Sequence, residues 1–227
     1  MSKNKESLKR KQARALELIG GLNALYSEAD CTLDFVNPLQ LLISTQLAAQ
    51  CTDERVNIVT RDLYAKYKSV YDFAQADIAE FENDIRSTGF FHNKARNIIN
   101  CCRMIADEYG GEVPKTMEEL LRLPGVGRKT ANLVLGDAFG VPGIVVDTHA
   151  GRLARRMGLT ADTDPGKVER DLARILPKES WTRFGHQLVL HGRAVCTSRK
   201  ARCDSCTLSP HCPKIDVNQI KEAKSHG

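Results

Sequence analysis

An all-α fold is what this sequence predicts. Helix-start and helix-stop signals recur from one end to the other, sustained apolar–polar alternation of the kind strands need is hard to find, and apolar residues recur at three- and four-residue spacing. At 227 residues with 42% hydrophobic side chains, the chain is long enough to bury one large or two medium cores. The first clear element opens at Asn37-Pro38, an N-cap followed by proline at the first helical position, and continues through Leu39, Leu41, Leu42 and Ile43. A long amphipathic helix is predicted by Ala95, Ile98, Ile99, Cys102, Ile105, Ala106 and Tyr109, with Gly110-Gly111 as its stop. Thr116 and Glu119 read as a capping box for a short helix ending near Leu123. A further helix starts at about Gly127. Asp147-Thr148-His149 opens one that carries Leu153 and Met157 and closes at Gly158. Asp164-Pro165 starts another that runs toward Ile175, and Pro177 separates it from the last. Residues 31–141 are expected to form one helical domain, and residues 1–30 with 142–227 a second.

Composition excludes several classes of protein. No stretch approaches the roughly 18 uninterrupted apolar residues of a membrane span, and no internal repeat stands out. The segment Met1–Arg14 is polar and basic, not an apolar signal, so a reducing, cytoplasmic setting is expected. The net charge of +5 is modest. Its placement is more informative, because Arg199, Lys200 and Arg202 share one loop with no acid beside them. Such a loop suits a polyanion as well as it suits plain solvation.

The same loop carries Cys196-x6-Cys203-x2-Cys206-x5-Cys212, four thiols within 17 residues. In a reducing setting a metal centre is favoured over disulfides. Structural zinc sites pair two short knuckles, whereas here only Cys203-x2-Cys206 is short, so the spacing favours a four-iron four-sulfur (4Fe-4S) cluster over zinc. Cys31, Cys51, Cys101 and Cys102 lie far apart or inside apolar helical patterns, and read as small core residues.

Between two helices stands Leu123-Pro124-Gly125-Val126-Gly127-Arg128-Lys129-Thr130-Ala131. Without a Cβ at Gly125 or Gly127, a phosphate can approach the backbone N–H groups, and the positive end of the next helix favours the anion. The pattern resembles a helix-hairpin-helix phosphate clamp. It is unlike a Walker loop, which needs four residues between its glycines. A tight helix–helix turn uses the same glycines for geometry alone, and Arg128, Lys129 and Thr130 tip the reading toward phosphate. Lys129 falls in the first turn, where the dipole and Arg128 both disfavour an ammonium and so favour a nucleophilic amine. A simple phosphate contact is the competing role. Asp147 follows the apolar run Ile144-Val145-Val146 and has N-capping as its default role, although a carboxylate at a helix entrance also serves a nearby cationic transition state.

The hairpin, the Val146-Asp147-Thr148-His149 segment and the cysteine loop occur together with Ala49-Gln50-Cys51-Thr52-Asp53 and Gly89-Phe90-Phe91-His92-Asn93-Lys94-Ala95. In order and spacing they resemble the endonuclease III family of DNA glycosylases across residues 30–213. The resemblance implies a helix-hairpin-helix glycosylase fold. A six-helix barrel domain would span 31–141, and a second helical domain, 1–30 plus 142–227, would carry the iron–sulfur loop 196–212, with duplex DNA in the cleft between them. It implies removal of oxidised pyrimidines such as thymine glycol by attack of Lys129 on C1′ of a flipped-out nucleotide, followed by β-elimination at the abasic site. Asp147 would help free the amine and stabilise the cationic sugar. Gly125, Gly127 and Thr130 would grip phosphate, Gln50 would fill the gap left by the extruded base, and Arg199, Lys200 and Arg202 would meet phosphates. His149 either lines the lesion pocket or satisfies a local hydrogen bond, and Lys94 is either a surface lysine or a phosphate contact. Phe90 stands where the family often places a leucine wedge, and Ala150-Gly151 are smaller than usual, which leaves strand insertion and pocket width open. The partner that the resemblance implies is damaged or abasic double-stranded DNA, with no membrane, and the protein is expected to act as a monomer in a prokaryotic cytoplasm. Two other readings remain. One is a monofunctional relative such as the mismatch adenine glycosylase, against which Lys129 and the short tail after Cys212 both argue. The other is a non-catalytic DNA-binding or redox-sensing iron–sulfur module.

Overall fold

Asn37 and Pro38 behave as their types require. The Asn37 side chain accepts the Gln40 N–H at 3.0 Å, Pro38 takes the first helical position, and the helix that follows buries Leu41, Leu42, Ile43 and Leu47. The structure is a computed structural model and describes residues 6–217. Among the described residues the chain runs α1 Leu8–Leu25, α2 Pro38–Leu47, α3 Asp53–Lys66, α4 Val70–Ala74, α5 Ile78–Asp84, α6 Phe91–Glu108, α7 Met117–Leu120, α8 Arg128–Leu133, α9 Thr148–Arg156, α10 Pro165–Ile175 and α11 Trp181–Ala194. The all-α expectation holds: the described residues contain no strand beyond an isolated antiparallel bridge between Cys196 and Ala201. No described helix is long and apolar enough to cross a membrane.

The chain divides into two compact units, residues 31–141 and residues 1–30 with 142–227. In the first, α6 lies along α4 and α5, and α2 packs on α3 and α8. Its core joins Leu41, Leu42, Val56, Ile98 and Ile105 to an aromatic group in which Tyr67 stacks on Phe73 at 5.1 Å and meets Phe81 edge-on at 5.4 Å. The second unit packs α1 on α10 and α11, and α9 on α11, around Leu18, Leu22, Leu153, Met157, Leu172, Phe184 and Leu188.

Two boundaries and one cap differ from expectation. The long helix begins at Phe91, ahead of its apolar pattern, because the turn at Gly89 (φ 71°) and Phe90 (φ 49°) sets its start. α7 stops at Leu120, since the amides of Arg122 and Leu123 bond back to Glu119 O and Leu120 O in tighter turns. Its cap is one-sided: Thr116 Oγ1 accepts the Glu119 N–H at 3.3 Å but donates its own proton to the Glu119 carboxylate at 2.7 Å, so that carboxylate does not return to the Thr116 amide. Cys101 and Cys102 are buried core residues, while Cys31 and Cys51 are half-buried at its margin. Burial pushes the Cys101 thiol up to about 12 and the Cys102 thiol well above its ordinary range, so neither is a thiolate nucleophile.

Candidate functional site

The hairpin is assembled by its two apolar residues. Leu123 and Val126 are buried, and the Val126 amide donates to Leu123 O at 3.1 Å, which turns the chain outward at Gly125 and back into α8. Its two glycines have different reasons to be there. Gly125 has φ 76°, and a Cβ on it would lie 2.5 Å from Gln46 Oε1 and 2.8 Å from Asn97 Cβ. Gly127 has φ −99°, and a Cβ there would meet nothing within 4 Å. Gly127 is the N-cap of α8 without a side-chain bond, so the first amides of the helix lack a side-chain cap. Lys129 is exposed in that first turn, with Thr130 half-buried beside it. Gly125→Ala is therefore expected to lower unfolding stability by about 2 kcal/mol or more through strain and overpacking. Gly127→Ala should cost no more than about 1 kcal/mol of cap preference while weakening binding to an abasic-site duplex. Denaturant unfolding and gel-shift titration of both variants test the distinction.

Gln50 and Phe90 lie in the same unit on two separate turns. Each is exposed, Phe90 by 63%, and each is a non-glycine residue in the left-handed region, at φ 55° and 49°. Such conformations cost about 1–3 kcal/mol and recur at ligand-binding turns. Lys94 corrects an expectation. It is neither a surface lysine nor a phosphate contact: its side chain is buried, and Nζ donates to Leu47 O and Thr88 O, both at 2.8 Å.

In the other unit, the run Ile144-Val145-Val146 is buried and delivers Asp147 to the start of α9. Asp147 Oδ1 accepts the Ala150 N–H at 2.7 Å, leaving Oδ2 without a hydrogen bond among the described residues. One oxygen thus caps the helix while the carboxylate keeps acceptor capacity. His149 Nδ1 accepts from Arg152 Nη2 at 3.1 Å, the local hydrogen bond that was one of its two expected roles.

The cysteine loop follows α11. Thr197 Oγ1 accepts the Lys200 N–H at 3.1 Å and donates to Lys200 O at 2.8 Å, closing a tight turn between the bridged residues Cys196 and Ala201. Arg199, Lys200 and Arg202 are exposed on it. Cys196, Cys203, Cys206 and Cys212 line one cavity, whose remaining wall includes Met157, Val195 and Leu208. Four soft donors around a largely apolar cavity fit an iron–sulfur cluster. The surrounding polar residues were not legible in the sequence. Arg156, 5% exposed, directs Nη1 at Cys196 Sγ (3.3 Å) and Thr197 O (2.7 Å), and Arg152 Nη2 donates to Cys196 O at 3.0 Å. His191 is buried between Tyr26 OH at 3.1 Å and Cys206 Sγ at 3.4 Å, and burial favours its neutral ring. Helical spacing puts Arg152 and Arg156 on one face, a signal visible only once the target of that face is known.

Residues 43–178 match the family model described as the HhH-GPD superfamily of base excision DNA repair proteins. The endonuclease III protein of Synechocystis sp. is 51% identical to the chain, over 92% of this chain and 95% of the relative. The chain belongs to the endonuclease III family. The Bacillus subtilis and Escherichia coli K12 members are 44% and 37% identical over 83% and 91% of this chain, covering 86% and 99% of their own lengths. Two solved structures superpose with a TM-score of 0.85 at 41% identity, covering 94% of this chain and 98% of theirs. One is a non-covalent endonuclease III–DNA complex and the other a trapped endonuclease III–DNA covalent intermediate. The endonuclease III fold thus accounts for the helical architecture and for the hairpin between α7 and α8.

Proposed function

We propose that the chain is a base-excision-repair DNA glycosylase that removes oxidised pyrimidines from duplex DNA and cleaves the resulting abasic site. The observation that carries the reading is an exposed lysine in the first turn after the hairpin, in a chain similar over nearly its whole length to a protein caught as a covalent DNA intermediate. The amine of Lys129 attacks C1′ of an extruded nucleotide; the C1′–N bond breaks and its electrons leave with the base, which takes up a proton. The amine loses its two protons, one to Asp147 and one to O4′, as the C1′–O4′ bond breaks and the sugar ring opens to a Schiff base. Removal of a C2′ proton then expels the 3′ phosphate by β-elimination, and water hydrolyses the imine to free Lys129. The Asp147 side chain stabilises positive charge on the sugar and accepts a proton from the amine.

Gly125, Gly127 and Thr130 hold phosphate at the amides of α8, Gln50 and Phe90 enter the space vacated by the extruded base, and Arg199, Lys200 and Arg202 meet backbone phosphates. The barrel and cluster-domain roles go to the units 31–141 and 1–30 with 142–227, and the setting is the cytoplasm of a bacterium. Cys196, Cys203, Cys206 and Cys212 hold a 4Fe-4S cluster, whose iron–sulfur bonds would cross-link the loop that carries the three cations. The guanidinium of Arg156 beside Cys196 offsets thiolate charge.

Incubation with duplexes containing thymine glycol tests the activity: release of base with strand scission is expected, and release of neither overturns it. The purified protein should contain about four iron atoms per chain. Cys206→Ala should lose iron, and the salt dependence of DNA binding should become shallower by about two to three units of slope as the three cations lose their fixed loop. Stoichiometric zinc in place of iron contradicts the cluster.

A further inference from the structure

We propose that Lys94 is a positioning residue that ties the Gln50 turn and the Phe90 turn into one unit, so that both side chains are presented together to the duplex. The inference rests on the functional reading above for the destination of Gln50 and Phe90, and on the geometry for their coupling.

Each turn follows the end of a helical segment, where backbone carbonyls lose their intrahelical partners. After α2, the amide of Cys51 bonds back to Ala48 O, so it does not serve Leu47 O; Lys94 Nζ does, at 2.8 Å. After the 3-10 turn Arg86–Thr88, the Gly89 amide bonds to Arg86 O, and the same ammonium donates to Thr88 O at 2.8 Å. One cation therefore caps the negative ends of two segments, a favourable place for it. Two residues beyond Thr88 stands Phe90 and three beyond Leu47 stands Gln50, the non-glycine residues at φ 49° and 55°.

The lysine is itself fixed by the turn it supports, since its backbone amide donates to Phe90 O at 3.1 Å at the start of α6. Thr88 adds a bond from Oγ1 to Ile85 O at 2.8 Å. A solvated lysine tying nothing would be exposed, whereas this side chain is 6% exposed and burial lowers its affinity for the proton. Both accepting carbonyls belong to the backbone just ahead of a left-handed residue, so loss of the ammonium removes the shared anchor of both turns and leaves α8 untouched.

The test compares the wild-type chain with Lys94→Met, and with Leu63→Ala as a control destabilised from the same core. Amide hydrogen exchange should accelerate at least about tenfold at residues 48–52 and 87–91 together in Lys94→Met, with little change at 123–131. Affinity for a duplex carrying a stable abasic analogue, with 2-aminopurine opposite it, should weaken by a similar factor. The borohydride-trapped fraction at saturating abasic DNA should stay at the wild-type level, because Lys129 lies on α8. Acceleration in only one turn, or spread over residues 31–141 as in Leu63→Ala, overturns the coupling, and so does unchanged affinity with both turns loosened. If the wild-type chain neither prefers the abasic duplex nor traps, the functional reading is what has failed, and the exchange pattern alone still decides whether Lys94 couples the two turns.

Discussion

Lys129→Gln is expected to lower strand scission at abasic sites by at least about a thousandfold, while leaving the fold and most of the binding in place. The side chain is exposed on the first turn of α8 and is no part of the core, so the stability change should stay within about 0.5 kcal/mol. Glutamine keeps a polar side chain, one atom shorter, and removes the charge and the nucleophilicity. Affinity for an abasic analogue should therefore fall by no more than a few-fold, the effect of about one phosphate contact. Nicking assays on a preformed abasic duplex, with gel shifts in parallel, separate the two quantities. Loss of binding equal to the loss of cleavage would make Lys129 a phosphate contact and nothing more.

Asp147→Asn is expected to lower base release by about a hundred- to ten-thousandfold, the range for losing a charged acid–base group, with almost no cost in stability. Asparagine is as good an N-cap as aspartate, so the bond now made from Asp147 Oδ1 to the Ala150 N–H survives. Asp147→Ala should lose the same activity and also about 1 kcal/mol of stability, because the cap goes with it. Single-turnover base release and thermal unfolding of the two variants distinguish helix cap from chemistry. Full activity in Asp147→Asn would reduce the residue to a cap.

What the sequence disclosed was local chemistry with fixed spacing. Asn37-Pro38, Asp147 and Asp164-Pro165 announce helix starts because a short polar side chain satisfies an amide three residues on, a bond that needs no tertiary partner. The hairpin and the cysteine spacing are legible for the same reason. Lys94 was not: in sequence it is one cation on an amphipathic helix, and only the meeting of α6 with the ends of α2 and the 3-10 turn gives it two carbonyls. The different reasons for Gly125 and Gly127 were hidden as well, since Gln46 and Asn97 reach the hairpin from α2 and α6. Arg152, Arg156 and His191 look like ordinary polar residues until the cysteine loop folds back on α9 and α11. Left-handed backbone at Gln50 and Phe90 carries no glycine or asparagine to announce it.

In the proposed reaction Lys129 itself becomes bonded to the sugar. Borohydride reduction in the presence of a thymine glycol duplex, followed by proteolysis and mass mapping of the adduct, tests it most directly. A deoxyribose adduct is expected on the peptide that carries Lys129 and none in Lys129→Gln; base release without any trapped species, or an adduct on another amine that survives the substitution, would rule out Lys129 as the nucleophile.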